Sequence, residues 1–381
     1  MHLKLIKNAR FYDAPKGEVN DILIAGNKIA AIDKNIPMQG VPHEVIDAKG
    51  KLVTPGLIDI HVHTSGGGGQ TGFLSLAPEV KASSLIACGT TTVVGLLGTD
   101  GFVKRLRQLY AKTMALRENN LSAYMLTGYY GLPTFTITEC VADDLIFIDP
   151  IIGCKIAIAD DRSSFPTEQD LLRLINKVRL GGFTSSKGGV IHVHLGSLPE
   201  GMTMLLNIAK QYPSLIQHIS PTHTMRTEPL FNQAIEFSKM GGMMDITTGG
   251  SKFMEPYESV FYAMERGASI DSITFSSDGN GGITRVDPVT GETSYSLAPV
   301  HGNLDETIKL ITKKGMSETD AFKLVTANPA KVMHFKNKGH IKVGFDADFC
   351  IFDSDYKLTD VISLGNSMLR DGEFVMARNF E

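Results

Sequence analysis

The chain has 381 residues, of which 37 are Lys or Arg and 41 are Asp or Glu, and its formal net charge is -4. This balance leaves no basic excess for binding the phosphates of a nucleic acid. Hydrophobic residues make up 43% of the chain, a share typical of folded globular proteins and too high for a disordered one. The expected partner is therefore a small molecule, and no nucleic acid.

Neither a membrane segment nor a disulfide scaffold is indicated. Charged residues interrupt the N-terminal segment before any apolar run of signal-peptide length, and no run approaches the about 18 apolar residues of a membrane helix. Cys88, Cys140, Cys154 and Cys350 are far apart and form no CxxC pair, which excludes a zinc ribbon. We therefore expect a cytoplasmic protein with reduced thiols and no membrane partner.

The two ends of the chain are predicted to form short β-strands. Near the N-terminus, residues 21–25 and 28–32 flank a Gly26-Asn27 pair, which is typical of a hairpin turn. Neither end alone supplies enough strands for a stable sheet. We therefore predict one small β-sandwich domain built from both termini, residues 1–55 and 331–381. The other predicted terminal strands lie at residues 3–6, 339–344, 347–352 and 373–375.

Between the ends, short apolar runs alternate with segments of helical periodicity, such as residues 170–178 and 231–240. This alternation predicts a parallel α/β sheet, and its repetition matches a closed (β/α)8 barrel over residues 56–330. A doubly wound open sheet is the alternative, but no GxGxxG sequence opens a helix here. The predicted barrel strands lie at residues 57–62, 91–97, 123–126, 151–158, 190–195, 215–219, 243–247 and 272–275.

The polar residues at the ends of these strands are candidates for catalysis, because barrel enzymes place their active sites there. The first strand ends in His61-Val62-His63, and side chains alternate along a strand, so both imidazoles face the same side. Such a pair can hold a metal ion. Its position directly before the glycine run at residues 66–69 favours a metal site.

Three later strands also end in His or Asp. His194 lies at the end of the fifth strand, His223 follows the sixth, and Asp278 follows the eighth. A buried cluster of such groups is costly unless they are paired or bound to a metal, so their number favours metal ligation. His192 shares a face with His194 but lies deeper, and we interpret it as a packed or supporting residue.

Lys155 lies within the apolar fourth strand, where burial disfavours a charged ammonium group. One interpretation is a salt bridge to Asp160 or Asp161. The other is that two nearby divalent cations leave the amine neutral, so that it takes up CO₂ and forms a carbamate. The two carbamate oxygens would suit a bridge between metals about 3.5–4 Å apart.

In this combination the residues resemble the amidohydrolase superfamily, with HxH on strand one, Lys on four, His on five and six, and Asp on eight. The flanking sequences VTPGLID at residues 53–59 and GFDAD at residues 344–348 resemble it as well. Within the superfamily, the chain resembles the isoaspartyl dipeptidase family in segments 61–69, 93–100, 125–128, 221–226 and 276–281. The resemblance implies two Zn²⁺ ions, with His61, His63 and Asp278 on one, His194 and His223 on the other, and carboxylated Lys155 between them.

The resemblance also implies a reaction, which is hydrolysis of the isopeptide bond of β-aspartyl dipeptides. Asp278 would carry a proton from the attacking water to the leaving amine. Tyr130 would donate a hydrogen bond to the oxyanion, with the adjacent Tyr129 as a competing candidate. The implied substrate-binding residues are Gly68, Gln70, Thr99, Tyr130, Arg162, Arg226 and Gly282, with the two arginines as a clamp for the C-terminal carboxylate.

Two residues depart from the family pattern and leave alternatives open. Gln70 stands where the family has a catalytic glutamate that meets the free α-amino group and acts with the tyrosine, and Gly282 lacks the hydroxyl of the family's serine. One alternative is another amidohydrolase reaction, on N-acyl-amino acids or cyclic amides. The other is a metal-binding homologue without catalysis. The resemblance also implies a homo-oligomer, without fixing the number of subunits.

Overall fold

A computed structural model describes residues 3–15, 17–250, 252–379 and 381 of the chain. Strands from both chain ends form one group: β1 (Leu3–Phe11), β2 (Asn20–Ala25), β3 (Lys28–Asp33), β4 (Glu44–Asp47), β5 (Leu52–Pro55), β16 (Phe349–Phe352), β17 (Leu358–Ser363), β18 (Asn366–Arg370) and β19 (Glu373–Phe374). Strands from the middle form a second group: β6 (Leu57–Val62), β7 (Thr90–Gly95), β8 (Ser122–Gly128), β9 (Ile151–Ile158), β10 (Val190–Leu195), β11 (Ile219–Thr222), β12 (Met244–Thr247) and β13 (Ile273–Ser276). A separate hairpin follows, β14 (Gly282–Val286) and β15 (Thr293–Leu297).

The α-helices connect or follow the strands of the second group. They are α1 (Ala82–Ile86), α2 (Leu106–Glu118), α3 (Val141–Phe147), α4 (Glu168–Ser185), α5 (Thr203–Gln211), α6 (Glu228–Lys239), α7 (Pro256–Glu265), α8 (Gly302–Lys314), α9 (Glu318–Lys323) and α10 (Ala327–Val332). Their ends follow local chemistry. Helix α4 begins with a capping box, in which Thr167 and Asp170 each accept the other's backbone N–H through their side chains. Helix α8 ends at Gly315, which has a φ of 69°.

The terminal strands form one mixed nine-stranded sheet in the order β19-β18-β17-β16-β5-β1-β2-β3, with β4 beside β1. Strand β1 shifts register between Ile6 and Ala9, so its first part pairs with β2 and β4 and its end pairs with β5. The sheet encloses an apolar core to which Phe349 and Ile351 contribute from the far end of the sequence. A β domain drawn from both termini is therefore present, while its limits at residues 55 and 331 stay a prediction.

The middle strands close a barrel. Strands β6 to β11 run parallel in sequence order, and β12 and β13 form a parallel pair. The backbone N–H of Thr224, after β11, donates to the carbonyl of Asp245 in β12 at 3.3 Å. On the other side, the N–H of His63, after β6, donates to the carbonyl of Gly279, after β13, at 2.9 Å. The predicted (β/α)8 barrel is thus confirmed. Because its strands are parallel, the loops that follow them all lie on one face of the barrel.

Two predicted strands are wrong. The sixth barrel strand is Ile219–Thr222, because Pro213 opens a 3-10 helix (Pro213–His218) that packs Leu215 and Ile216 against the core. Residues 339–344, all of them described, form a loop in which Ile341 packs against the terminal core. In both places a few apolar side chains pack partly against a core without forming a strand, a case that hydrophobic pattern alone does not distinguish from a strand.

Within the described ranges, no helix combines the length and the apolar character required to cross a membrane. The four cysteines are all free thiols, and Cys88, Cys154 and Cys350 are buried.

Candidate functional site

A cavity of about 380 Å³ opens on the barrel face formed by the loops after the strands. The predicted metal ligands His63 and Asp278 line it. Every residue predicted to bind substrate also lines it: Gly68, Gln70, Thr99, Tyr130, Arg162, Arg226 and Gly282. The structure therefore brings these residues together, while their individual roles stay predictions.

Three of the predicted metal ligands meet around one carboxylate oxygen. Oδ1 of Asp278 lies 3.3 Å from Nε2 of His61 and 3.2 Å from Nε2 of His63. Burial lowers the pKa of His61 to about 3, so its imidazole is neutral and keeps a free nitrogen lone pair. Burial opposes the ionisation of Asp278, but its contacts with His223, His61 and His63 hold its pKa well below the usual range. Asp278 is thus an anion facing the neutral imidazole of His61.

His194 and His223 lie beside this group. Their ring centroids are 4.6 Å apart, and the ring of His223 is 4.8 Å from that of His61. Nε2 of His194 lies 2.9 Å from a carboxylate oxygen of Asp160, and Nδ1 of His223 lies 2.7 Å from Oγ1 of Thr247. Burial lowers the pKa of both histidines well below the usual value, so both are neutral and able to ligate.

Lys155 is fully buried, with 0% of its surface exposed, and its Nζ lies 3.4 Å from Nε2 of His61. The salt-bridge interpretation of Lys155 is wrong, because Asp160 and Asp161 both contact Arg162 instead. Burial lowers the pKa of Lys155 to about 7, which makes a neutral amine available near neutral pH. A neutral amine is the form that reacts with CO₂.

These residues fit a transition-metal ion such as Zn²⁺, whose usual ligands include imidazole nitrogens and carboxylate oxygens. Candidate ligand atoms of His61, His223 and Asp278 all lie within 4.8 Å of one another. His223 and Asp278 also adopt left-handed backbone conformations, with φ of 60° and 52°, a strain that is common at functional sites. The cluster can therefore hold a metal, and the number of ions stays a prediction.

His192 supports the cluster from below. Its Nε2 lies 3.0 Å from Nδ1 of His61, and its Nδ1 lies 3.0 Å from Oγ of Ser220. Histidine ligands commonly have their second ring nitrogen held in this way, which fixes the ring orientation. This geometry agrees with the interpretation of His192 as a supporting residue.

The structure separates the two tyrosine candidates. The hydroxyl of Tyr130 lies 2.9 Å from Nδ1 of His194, and burial raises the pKa of Tyr130, so the hydroxyl stays protonated and able to donate. The ring of Tyr129 instead stacks on Phe135, with centroids 4.0 Å apart and the planes at 6°. Tyr130 is the tyrosine that lines the cavity.

Asp160 is a residue whose position the sequence reasoning missed. It accepts two hydrogen bonds from the Arg162 guanidinium, at 2.8 and 2.6 Å, and it also contacts His194. Burial opposes its ionisation, but Arg162 and His194 hold the pKa of Asp160 far below its usual value. Its place directly after the fourth strand was the available signal, since the polar residues after barrel strands line the functional face.

Close backbone approach explains one departure from the family pattern. Gly68 has a φ of 101°, and a Cβ atom there would lie 2.0 Å from the carbonyl oxygen of Ser75. A Cβ at Gly282 would lie 2.8 Å from the Cα of Gly68. A side chain at position 282 would therefore require the loop around Gly68 to move.

The hairpin of β14 and β15 adds cavity residues that sequence reasoning did not single out. Arg285, an exposed residue of β14, lines the cavity together with Thr284. The hydroxyl of Thr284 lies 3.0 Å from that of Thr71, which follows Gln70. An exposed arginine in a polar hairpin carries no sequence signal that distinguishes it from other surface residues.

Comparisons with known proteins agree on a family. A sequence profile described as Amidohydrolase family matches residues 258–376, and a second profile of the same description matches residues 44–95. A dihydroorotase from Lactobacillus leichmannii is 35% identical over 137 residues, which cover 35% of this chain and 30% of that protein. An adenine deaminase from Clostridium perfringens is 24% identical over 394 residues, covering 99% of this chain and 61% of the deaminase. The chain thus spans less than two thirds of the length of either relative.

One similar solved structure matches along its whole length. It is a β-aspartyl dipeptidase from Fervidobacterium islandicum AW-1 in complex with a β-Asp-Leu dipeptide. It shares 37% sequence identity with this chain and a TM-score of 0.92, over 100% of this chain and 99% of its own.

Proposed function

The chain belongs to the amidohydrolase family, and from this premise we propose that it hydrolyses the isopeptide bond of β-aspartyl dipeptides with the help of two zinc ions. One observation carries the proposal. Seven residues predicted to bind substrate, which come from six segments far apart in the sequence, line a single cavity beside the His and Asp cluster. The similarity to a solved β-aspartyl dipeptidase supports the choice of substrate.

The proposed ligands are His61, His63 and Asp278 for one ion and His194 and His223 for the other, with carboxylated Lys155 between them. The fit rests on the neutral imidazoles of His61, His194 and His223, on the ionised Asp278, and on a lysine whose pKa is lowered to about 7 by burial. Divalent zinc in such a site lowers the pKa of water and polarises a carbonyl group. The chain's own residues supply the positioning and the proton transfer.

Two side chains carry the proton and the hydrogen bond that the reaction requires. Asp278 accepts a proton from the attacking water and returns it to the leaving amine, because its carboxylate is ionised and faces the cavity. Tyr130 donates its hydroxyl hydrogen to the developing oxyanion, and its raised pKa keeps that hydrogen in place.

The substrate is held by its carboxylates. Arg162 and Arg226 bind the C-terminal carboxylate, and Asp160 fixes the guanidinium plane of Arg162 through two hydrogen bonds. Thr99 and the backbone at Gly68 bind the α-carboxylate of the aspartyl residue. Gln70 and Gly282 complete the cavity wall.

A substrate panel tests the proposal. The zinc-loaded protein, prepared with bicarbonate, is assayed with β-Asp-Leu, N-acetyl-β-Asp-Leu, N-acetyl-leucine and hydantoin. Release of leucine from either β-aspartyl compound is the expected result. Preference for N-acetyl-leucine or hydantoin would identify another amidohydrolase reaction, and two bound zinc ions without turnover would identify a silent homologue. The cytoplasmic location and the homo-oligomer stay predictions.

A further inference from the structure

We propose that the preferred substrates are β-aspartyl peptides whose α-nitrogen is acylated, with Gln70 and Arg285 receiving the acyl group. The inference rests on the proposed function and narrows its substrate class. In the reaction, the bond between the β-carbonyl carbon and the leaving nitrogen breaks. Water supplies the hydroxyl to the carbonyl carbon and a proton to the amine, and the N-acyl group is untouched.

The charge of the cavity disfavours a free ammonium group. Among the described residues that line the cavity, Asp278 is the one carboxylate, and its Oδ1 already contacts His61 and His63. Asp160 lies nearby, but both of its oxygens accept hydrogen bonds from Arg162. Asp100 is 3% exposed and does not line the cavity. Its Oδ1 accepts the backbone N–H of Gly98, and its Oδ2 is buried without a hydrogen-bond partner among the described residues.

Cationic side chains outnumber the anions in the same space. Arg162, Arg226 and Arg285 all line the cavity, and only Arg162 has an ion pair within the described part of the chain. Nε of Arg226 is buried and has no hydrogen-bond partner among the described residues. Two guanidinium groups are thus left for anionic groups of a substrate, while an ammonium group would meet like charge.

Gln70 and Arg285 lie on the same part of the wall. Thr71 and Thr284, which contact each other at 3.0 Å, are their direct sequence neighbours. Both Gln70 and Arg285 are exposed, so this wall forms the rim, where an added group can extend towards solvent. The amide of Gln70 can donate to an acyl carbonyl, and Arg285 can bind a carboxylate carried by the acyl group.

The test compares three substrates that share one scissile bond: β-Asp-Leu, N-acetyl-β-Asp-Leu and N-succinyl-β-Asp-Leu. We expect kcat/KM to rise about tenfold from the free amine to the acetyl compound, and further for the succinyl compound. Gln70→Glu should make β-Asp-Leu a better substrate than N-acetyl-β-Asp-Leu, because it adds a carboxylate that can bind the ammonium group. Arg285→Gln should remove the succinyl advantage through KM. Arg173→Gln, on the exposed face of α4, is the matched control and should change neither ratio.

A binding measurement separates this inference from the proposed function. Calorimetry with N-acetylaspartate and with aspartate should show tighter binding of the acylated product. If the acylated product binds more tightly but no β-aspartyl peptide is cleaved, the proposed function fails while the preference stands. If β-Asp-Leu is cleaved better than both acylated peptides, or aspartate binds more tightly than N-acetylaspartate, the inference is overturned.

Discussion

Lys155 and Lys338 show how differently two buried lysines can be used. Lys338 is 6% exposed and pairs with Asp346 and Asp348, each at 2.8 Å. Lys155 is fully buried, contacts the imidazole of His61, and forms no ion pair among the described residues. Because burying an unpaired ammonium is costly, Lys155 is better explained by metal chemistry than by packing.

We predict that Lys155→Met lowers zinc affinity by about 100-fold or more, since it removes the group proposed to bridge the ions. Because no carboxylate loses its partner, we expect the metal-free protein to stay folded. Zinc content by elemental analysis, with folding checked by circular dichroism, measures the effect. Lys338→Met is the control: it removes the ion pair of Asp348, while Asp346 keeps its ion pair with Lys28. It should cost about 3–5 kcal/mol of stability, with zinc affinity unchanged. Full zinc content in Lys155→Met would contradict the assignment.

Tyr130 is expected to act on the transition state rather than on binding. Tyr130→Phe should lower kcat by about 10²- to 10³-fold and change KM little, because a donor to the oxyanion is lost. Tyr129→Phe should stay within about twofold of the parent, since the Tyr129 ring is engaged by Phe135 away from the cavity. Steady-state kinetics on a β-aspartyl peptide measures both. Equal losses in the two variants would contradict the distinction.

Among single residues, the sequence reveals as functional candidates those whose type is unusual for their position. Lysine and histidine within apolar strands stand out because burial of such groups is costly, and the HxH pair and Lys155 could therefore be found. Arg285 could not be assigned its place, because an exposed charged residue in a hairpin is ordinary. The position of Asp160 after the fourth strand marked it as a candidate, but only the folded chain shows its contacts with Arg162 and His194. Gly282 is explained only by the close approach of Gly68.

Among the elements, three neighbouring strands are joined by one buried carboxylate. Asp245 in β12 accepts hydroxyl hydrogen bonds from Thr222 in β11 and from Thr274 and Ser276 in β13. Thr222 directly precedes His223, so this contact fixes the strand ends that carry proposed ligands. Burial raises the pKa of Asp245 to about 6 from its usual 3.8.

This shift predicts how stability depends on pH. Between pH 3.8 and about 6 the folded state holds the Asp245 proton more tightly than the unfolded state. The free energy of unfolding of the metal-free protein should therefore fall across this range as pH rises. Asp245→Asn has no carboxyl group to titrate at this position and so lacks this decrease. As pH rises over the same range, the free energy of unfolding of the variant minus that of the parent should increase by up to about 3 kcal/mol.

Urea unfolding in the presence of a chelator, at several pH values, measures the difference between variant and parent. Histidines that titrate nearby are present in both proteins and cancel in the difference. A difference that stays flat across this pH range would show that the folded state does not perturb the Asp245 carboxyl group.

Helices and strands were predictable where the hydrophobic pattern of a segment agrees with the element that it forms in the folded chain. The helix at residues 231–240 and most barrel strands follow from the alternation of apolar runs. The sixth strand is displaced because Pro213 favours a 3-10 helix at the start of the same apolar run. Within residues 339–344, Ile341 packs on the terminal core while Val343 is 53% exposed. Local pattern does not reveal whether such a segment has a strand partner.

For the whole molecule, β16 is the element that joins the two cores. Phe349 and Ile351 face the core of the terminal sheet, whereas Cys350 and Phe352 face the barrel core. The ring of Phe352 lies 5.5 Å from that of Phe322 in α9. The sequence predicts that both chain ends contribute to one sheet, because neither end has enough strands alone. It does not predict that β16 contributes side chains to both cores, because their directions are set by the pairing of β16 with β5.

We therefore predict that the terminal sheet and the barrel unfold together. Phe349→Ala and Phe352→Ala should each lower stability by about 3–5 kcal/mol, because each leaves a cavity in a core, and neither should split the transition. Urea unfolding in chelator, followed by circular dichroism and by tyrosine fluorescence because the chain has no Trp, should give coincident curves.

Leu180→Ala, on the exposed face of α4, is the control, with an expected effect within about 0.5 kcal/mol. Two separate transitions, with only one moved by each variant, would show that the two cores are energetically independent despite the shared strand.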